Sequence, residues 1–164
     1  MKKLAVTALT VLTLPAIAEE AVITGNIESK CVINTDTNGV FGNPVAGTLS
    51  TLPADGGVMP IIRYDVALGD AYTARITAPN SFSTSPTLND VVDWTAEVEV
   101  SEVSDTAMAD YETDKVEYDY TTEFDMHTAG TTWFKVTSKA EYGYGKAYPA
   151  GTYRAIVMAE CIAN

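Results

Sequence analysis

The side chain in this sequence that could take part in the most kinds of chemistry is its single histidine. His127 lies in the stretch FDMHTAG, and Asp125 precedes it by two residues. On an extended strand both side chains point to one face, so an Asp–His pair that moves a proton is one interpretation. Nucleophilic catalysis also needs a nucleophile in reach and an oxyanion donor, and no GxSxG or similar motif is present. A surface histidine at a strand end is favoured, so we predict no catalytic residue and no enzyme.

Carboxylates crowd the stretch SDTAMADYETDK, residues 104–115, where the sequence predicts a short helix or an acidic excursion. Calcium takes several oxygen ligands, and loops of proteins can supply them. The spacing does not match an EF-hand loop, and the glycine that would make its turn is missing. A solvated acidic loop is favoured over a calcium site, so we predict no metal and no cofactor. The carboxylates concerned are Asp105, Asp110, Glu112 and Asp114.

The tyrosine-rich stretch EYGYGKAYPAGTY is a second candidate binding site. Tyrosines on a loop can stack on sugars or dock on a neighbouring protein. Ordinary packing within turns is the default interpretation. The tyrosines are Tyr142, Tyr144, Tyr148 and Tyr153.

The two cysteines, Cys31 and Cys161, lie near opposite ends of the chain. In an oxidising compartment an even pair usually forms a disulfide, and this one would close a loop of about 130 residues. Such a loop corresponds to about 4–5 kcal/mol of stabilisation in the chain-entropy treatment. A zinc site would need further cysteine or histidine ligands, and one histidine with no third cysteine does not complete such a set.

Residues 1–18, MKKLAVTALTVLTLPAIA, have the pattern of a secretory signal peptide. Lys2 and Lys3 form the basic start, an apolar run follows, and Ala16-Ile17-Ala18 is a small-x-small cleavage site. The apolar run is too short to span a bilayer. Cleavage would leave residues 19–164 as one domain, exported to the periplasm and beyond.

The exported part is strongly acidic. Removing the two leader lysines from 10 basic residues leaves 8 against 22 acidic ones, a net charge of −14. Nucleic acid and anionic membrane surfaces would repel such a chain, so neither is expected as a partner. No other segment is long and apolar enough to predict a membrane span.

The elements that position these residues are strands, because apolar and polar residues alternate over most of the chain. Turn signals rich in glycine, proline and asparagine separate the alternating runs. The pattern predicts an all-β fold, an antiparallel β-sandwich of seven or eight strands. The alternating runs lie near 21–33, 62–68, 72–78, 94–101, 116–126, 131–138 and 152–163.

The first and last runs have unusual features. In AVITGNIESKCVI, residues 21–33, one row contains Ala21, Ile23, Gly25 and Ile27. The final run is apolar on both faces, which indicates burial on both sides or contact with a partner. We predict interface residues in that run at Tyr153, Ile156, Val157 and Met158.

These two ends resemble chaperone–usher pilins, in the broad sense that includes spore-coat-U-like secreted domains. A leader followed directly by AVITGNIESKCVI and a final PAGTYRAIVMAECIAN, with its Ala-Gly-x-Tyr entry into a terminal strand, are similar to that family. CVINTDTNGVFGNP is a weaker similarity to the cysteine strand and Phe-Gly turn of such domains.

The resemblance implies a mechanism. A pilin has an immunoglobulin-like sandwich that lacks its last strand, so the resemblance implies that fold here, completed by a donor strand. A periplasmic chaperone fills the vacant groove first, and the N-terminal extension of the next subunit replaces it at an outer-membrane usher. Here residues 19–29 would be that donor-strand extension, with Ala21, Ile23, Gly25 and Ile27 facing the groove. The function implied is that of a fimbrial subunit, a homopolymer on the cell surface that supports adhesion or biofilm.

Two alternatives stay open. Residues 21–33 are equally well an ordinary first strand in which Gly25 marks a bulge. A Cys31–Cys161 disulfide would also conflict with a donor strand between first and last strands, unless the cysteines join the two sheets or lie beyond the end of the groove. The competing function is a monomeric secreted or periplasmic β-sandwich binding module stapled by that disulfide.

Overall fold

The computed structural model describes residues 22–25 and 30–164, and it is an all-β fold of two antiparallel sheets. The predicted sandwich class is confirmed. The strands are β1 Cys31–Thr37, β2 Thr48–Ser50, β3 Ile61–Val66, β4 Tyr72–Thr77, β5 Val92–Val103, β6 Val116–Tyr118, β7 Thr121–Asp125, β8 Gly130–Tyr142 and β9 Met158–Ala163. The helices are the four-residue α1, Tyr111–Asp114, and two 3-10 turns, Pro53–Asp55 and Thr106–Met108.

The first sheet is built around the long strand β8. Strand β5 pairs with it along nearly its whole length, with Val98 opposite Val136. On the other side of β8, β3 pairs with its first half and β2 with its second half. Strand β1 lies beyond β3 and forms one edge of this sheet.

The second sheet has the order β6-β7-β4-β9. Ala74 in the middle of β4 lies between Phe124 of β7 and Cys161 of β9. Strand β9 pairs only with β4 and forms one edge of this sheet.

Alternating side chains from both sheets meet in the core. The ring of Phe134 on β8 lies 4.4 Å from that of Phe124 on β7 and 5.5 Å from that of Tyr64 on β3. These three side chains are at most 1% exposed, so they join the two sheets through a dry layer. A smaller apolar cluster around Leu49, Trp94 and Ala140 fills the other end of the sandwich.

The region 116–126 differs from the single strand that its alternation suggests. Asp119 and Tyr120 have φ values of 43° and 64°, and they turn the chain between β6 and β7 as a two-residue hairpin loop. As a result Val116 and Tyr118 are exposed, whereas Phe124 is buried. This hairpin and the three-residue strand β2 bring the described strands to nine, more than the seven or eight predicted.

The acidic stretch 104–115 forms a short helical excursion, as predicted, with one 3-10 turn followed by α1. Among the described residues, the helices are all too short or too polar to cross a membrane.

Candidate binding groove between the first and last strands

Cys31 and Cys161 form the predicted disulfide, and it joins β1 of the first sheet to β9 of the second. Their Cα atoms are 6.4 Å apart. Thr35, further along β1, lines the same groove as Val157, just before β9. The edge strands β1 and β9 therefore run antiparallel to each other, and the disulfide joins them at one end.

Beyond the staple the two edges separate around a groove of about 820 Å³. One wall comes from residues 35–41 and the other from residues 151–157. The floor includes Leu49 and Ile62 from the first sheet. The groove is mainly apolar because its walls contribute Phe41, Tyr153, Ala155 and Val157.

The groove exposes part of the core. Ala74 and Ile76 of β4 are fully buried, yet Cys161 and Ala159, directly opposite them on β9, are only half-buried. The same half-burial continues along the inward row through Val157, Ala155 and Tyr153. The inward face of the last strand therefore lacks the cover that the other core strands have.

Part of the main chain at the groove walls is unpaired, although Val40 exchanges hydrogen bonds with Val58 on the side away from the groove. Arg154 exchanges hydrogen bonds with Thr84, but within the described part of the chain the N–H and C=O groups of residues 155–157 find no main-chain partner. The same holds for Asn38, Gly39 and Phe41 on the opposite wall. Unpaired main chain along an apolar groove is the geometry that accepts an added strand.

The opposite side of the sandwich is closed by side chains. The outer edge of β5 offers the Val100 N–H, which donates to the Glu112 carboxylate over 2.6 Å, and the Val98 carbonyl, which accepts from Lys115 Nζ over 3.0 Å. Tyr120 covers a third point of this edge by donating its hydroxyl to the Trp94 carbonyl over 2.7 Å. We call Glu112, Lys115 and Tyr120 the edge seal.

Charge holds the edge seal in place. Lys115 Nζ lies 2.8 Å from a Glu112 oxygen and 3.0 Å from a Glu117 oxygen. Burial disfavours the charged ammonium, but the hydrogen bonds to these two carboxylates outweigh it and raise the pKa of Lys115. Lys115 therefore stays charged and bonded to Val98 throughout the neutral range.

Aromatic side chains support the wall at the open end of the groove. The ring of Phe82 lies 4.7 Å from that of Trp94 and 5.2 Å from that of Tyr153. Tyr148 packs 5.1 Å from Tyr153, and burial raises the pKa of Tyr148 to about 12. Most of the tyrosine-rich stretch thus packs into this cluster, whereas Tyr144 at the tip of its turn is fully exposed.

The structure gives contacts for the residues that suggested catalysis or metal binding. His127 Nε2 lies 3.1 Å from Asp110 Oδ1, so the carboxylate partner of His127 is not Asp125. Asp105 caps the turn that follows it by accepting from the Ala107 N–H. Within residues 22–25 and 30–164, no three histidine, cysteine or acidic side chains come together as a metal site.

The predicted interface residues divide between two faces. Tyr153 and Val157 line the groove, whereas Ile156 and Met158 point outward and are 57% and 58% exposed. Of the donor-strand residues, Ile23 is 97% exposed and Gly25 has open space around it. Ala21 and Ile27 lie outside the described residues.

The groove, its two unpaired walls and the sealed opposite edge are thus the features that set this sandwich apart from a closed one. No protein-family model, curated protein or solved structure matches this chain. Its proposed role rests on the geometry of the groove.

Proposed function

We propose that this chain is the structural subunit of an extracellular fibre and that it polymerises by strand complementation. The groove of one copy receives residues 21–27 of another. The observation that carries the proposal is the groove itself, an apolar cleft between two unpaired main-chain edges. An added strand would pair that main chain and cover the half-buried inward row of the last strand.

The lengths of groove and segment agree. Each wall, 35–41 and 151–157, spans seven residues, and so does the row from Ala21 to Ile27. Seven extended residues measure about 23 Å. The alternating row therefore has the length that the walls require.

A copy is poorly placed to fill its own groove. The Ala67 N–H donates to the Lys30 carbonyl over 3.0 Å, so the β1–β3 ladder continues to Lys30 and leads the chain out past the disulfide. A two-residue hairpin at 28–29 would bring Val22 opposite Thr35, where the groove begins, so residues 23–27 would stop short of the groove. In agreement, Val22 is 81% exposed.

The edge seal supports growth in one dimension. An unprotected edge invites pairing with any other strand. Here the outer edge of β5 is covered, whereas the main chain without partners at Asn38, Gly39, Phe41 and 155–157 lies along the groove. One acceptor and one donor per copy give a linear polymer.

The proposal agrees with the pilin resemblance and extends to its partners. A subunit with a vacant apolar groove needs a periplasmic chaperone to cover it before assembly and an outer-membrane usher to export the fibre. The Cys31–Cys161 disulfide fits the oxidising compartment that such export requires. The fibre would then serve adhesion or biofilm at the cell surface.

Deletion of residues 19–27 from the exported chain tests this proposal. We expect a folded subunit with an intact groove that no longer forms fibres in electron micrographs or elutes as a polymer. The deletion also shortens the chain, which could affect assembly by itself. The matched variant therefore keeps the full length and replaces Ile23 and Ile27 by Ser. Fibres that form unchanged without residues 19–27 would contradict the proposal.

A second function is favoured by the disulfide, which closes one end of the groove. In this alternative the chain is a monomeric binding module that holds an extended peptide of another protein in the groove. Size-exclusion chromatography of the purified chain separates the two. A stable monomer at high concentration supports the module, and a concentration-dependent polymer supports the fibre.

A further inference from the structure

The groove has one blind end. A strand inserted between two edges needs them about 9–10 Å apart, twice the spacing of neighbouring strands. At Cys31 and Cys161 the Cα atoms are 6.4 Å apart, so no strand passes between them. The groove walls begin four residues away, at Thr35 and Val157, and open toward Gly151.

Building on the proposed fibre, we propose that the Cys31–Cys161 disulfide is an end stop that fixes how far, and in which register, the incoming segment inserts. The segment continues through residues 28–30 into the β1 of its own copy, so its C-terminal end leaves by the open end. Its N-terminal end therefore meets the disulfide. It runs parallel to β1 and antiparallel to residues 151–157.

This direction and depth define one register along the last strand. When the seven residues 21–27 pair antiparallel with the seven residues 151–157, Ala21 lies opposite Val157 and Ile27 lies opposite Gly151. Register matters because a slip of one residue would turn the apolar row out of the groove. A slip of two residues would keep the apolar row facing the groove, but each of its residues would then lie opposite a different residue of 151–157.

Side-chain size supports this register independently. Gly25 falls opposite Tyr153, the largest side chain of that wall, and Ile23 falls opposite the small Ala155. Ile27 meets Gly151. Large side chains thus face small ones, which is how a dry interface fills without voids or overlap. If the segment slipped by two residues toward the open end of the groove, Ile23 would lie opposite Tyr153 instead.

Cross-linking within fibres tests the end stop. Full-length chains carrying Ile23→Cys are mixed with chains carrying Ala155→Cys, Tyr153→Cys or Val157→Cys, and inter-subunit disulfides are read on non-reducing gels. We expect the pair with position 155 to cross-link about tenfold more than the other two, because a single register holds. When Cys31→Ser and Cys161→Ser remove the stop, cross-links should spread to positions 153 and 157.

The outcomes separate the two proposals. Equal cross-linking at the three positions with the disulfide intact, or one sharp register after its removal, would overturn the end stop and leave strand exchange standing. Fibres without a cross-link at any of the three would overturn strand exchange as well. If the cysteine-free variant fails to fold, a size swap replaces it: Gly25→Leu should block assembly, and Tyr153→Ala in the accepting copy should restore it. Failure of Tyr153→Ala to restore assembly would count against the register.

Discussion

The hydroxyl of Tyr64 lies 3.1 Å from the main-chain carbonyl oxygen of Glu160, so a core side chain of the first sheet is bonded to the last strand of the second. The same hydroxyl lies 3.1 Å from the Arg75 carbonyl on β4. Burial is the main cause that raises the pKa of Tyr64 far above its usual range, so the hydroxyl keeps its proton as a donor. Together with the disulfide, this contact holds β9 in place beside an open groove.

Tyr64→Phe should therefore loosen the last strand. The substitution removes the donor to these part-buried carbonyl groups, and we expect the free energy of unfolding to fall by about 0.5–1.5 kcal/mol. Denaturant unfolding measures the loss. The matched control is Tyr72→Phe, because the Tyr72 side chain is also in the core but makes no hydrogen bond through its hydroxyl to any described residue. An equal loss in both variants would contradict the role of the Tyr64 contact.

Opening the disulfide should destabilise the fold strongly. The bond closes a loop with a sequence separation of 130, and its removal in Cys31→Ser with Cys161→Ser should cost about 2–5 kcal/mol. Thermal unfolding with and without reductant gives the comparison. The cysteine-free variant should behave alike in both conditions. If reductant leaves the wild-type melting temperature unchanged, the bond contributes nothing to stability.

Breaking the edge seal should create a second, unwanted contact surface. Lys115→Met removes the donor to the Val98 carbonyl and leaves the carboxylates of Glu112 and Glu117 without their cation. In a background without residues 19–27, light scattering should then rise with concentration, because the β5 edge is free to pair. Lys139→Met is the control, since Lys139 bonds only to Glu141 on the surface. Scattering that rises equally in both variants would point to lost solubility rather than to the edge.

The two rows of the opening segment should respond differently to charge. Ile23→Asp puts a carboxylate into the apolar groove, and we expect fibre formation to be lost because the buried charge has no partner. Thr24→Asp puts the same group on the outward row, and assembly should continue. Electron microscopy and sedimentation of the two variants give the answer. Equal assembly would show that this row does not enter a groove.

Acid should weaken one surface network in a predictable direction. A hydrogen bond from Tyr118 and then one from Arg75, both 2.7 Å, lower the pKa of Glu123 below its ordinary value of 4.5. The network therefore stabilises the fold above that pH and is lost as the pH falls through the folded-state pKa. Because Glu123 is near the solvent, the contribution is at most about 1 kcal/mol. Glu123→Gln should flatten this part of the acid unfolding curve.

Much of the fold could be predicted because a strand with one dry face alternates. Ala74 and Ile76 illustrate this, since both are fully buried and lie two residues apart in the alternating run predicted at 72–78. The disulfide was predictable from an even pair of cysteines behind a signal-peptide pattern. These features depend on local pattern and composition, which the sequence states directly.

Other features depend on contacts between distant parts of the chain. The hairpin at Asp119 and Tyr120 lacks the glycine that usually marks such a turn, and the hydrogen bond from Tyr120 to Trp94 lies across the sandwich. His127 pairs with Asp110, which is 17 residues away, rather than with its sequence neighbour. The groove arises because its two walls do not pair with each other. No pattern of residue types in the sequence indicates that such hydrogen bonds are absent.

The aromatic cluster at the groove also gives the molecule an optical signal of its own. Trp94 is 8% exposed and one ring away from Tyr153, while Trp133 lies on the outer face with its indole N–H bonded to Asp36. In a Trp133→Phe chain all tryptophan fluorescence would come from the side of the groove. An occupant that displaces water there would shift that emission, so filling of the cleft could be followed in real time without any attached dye.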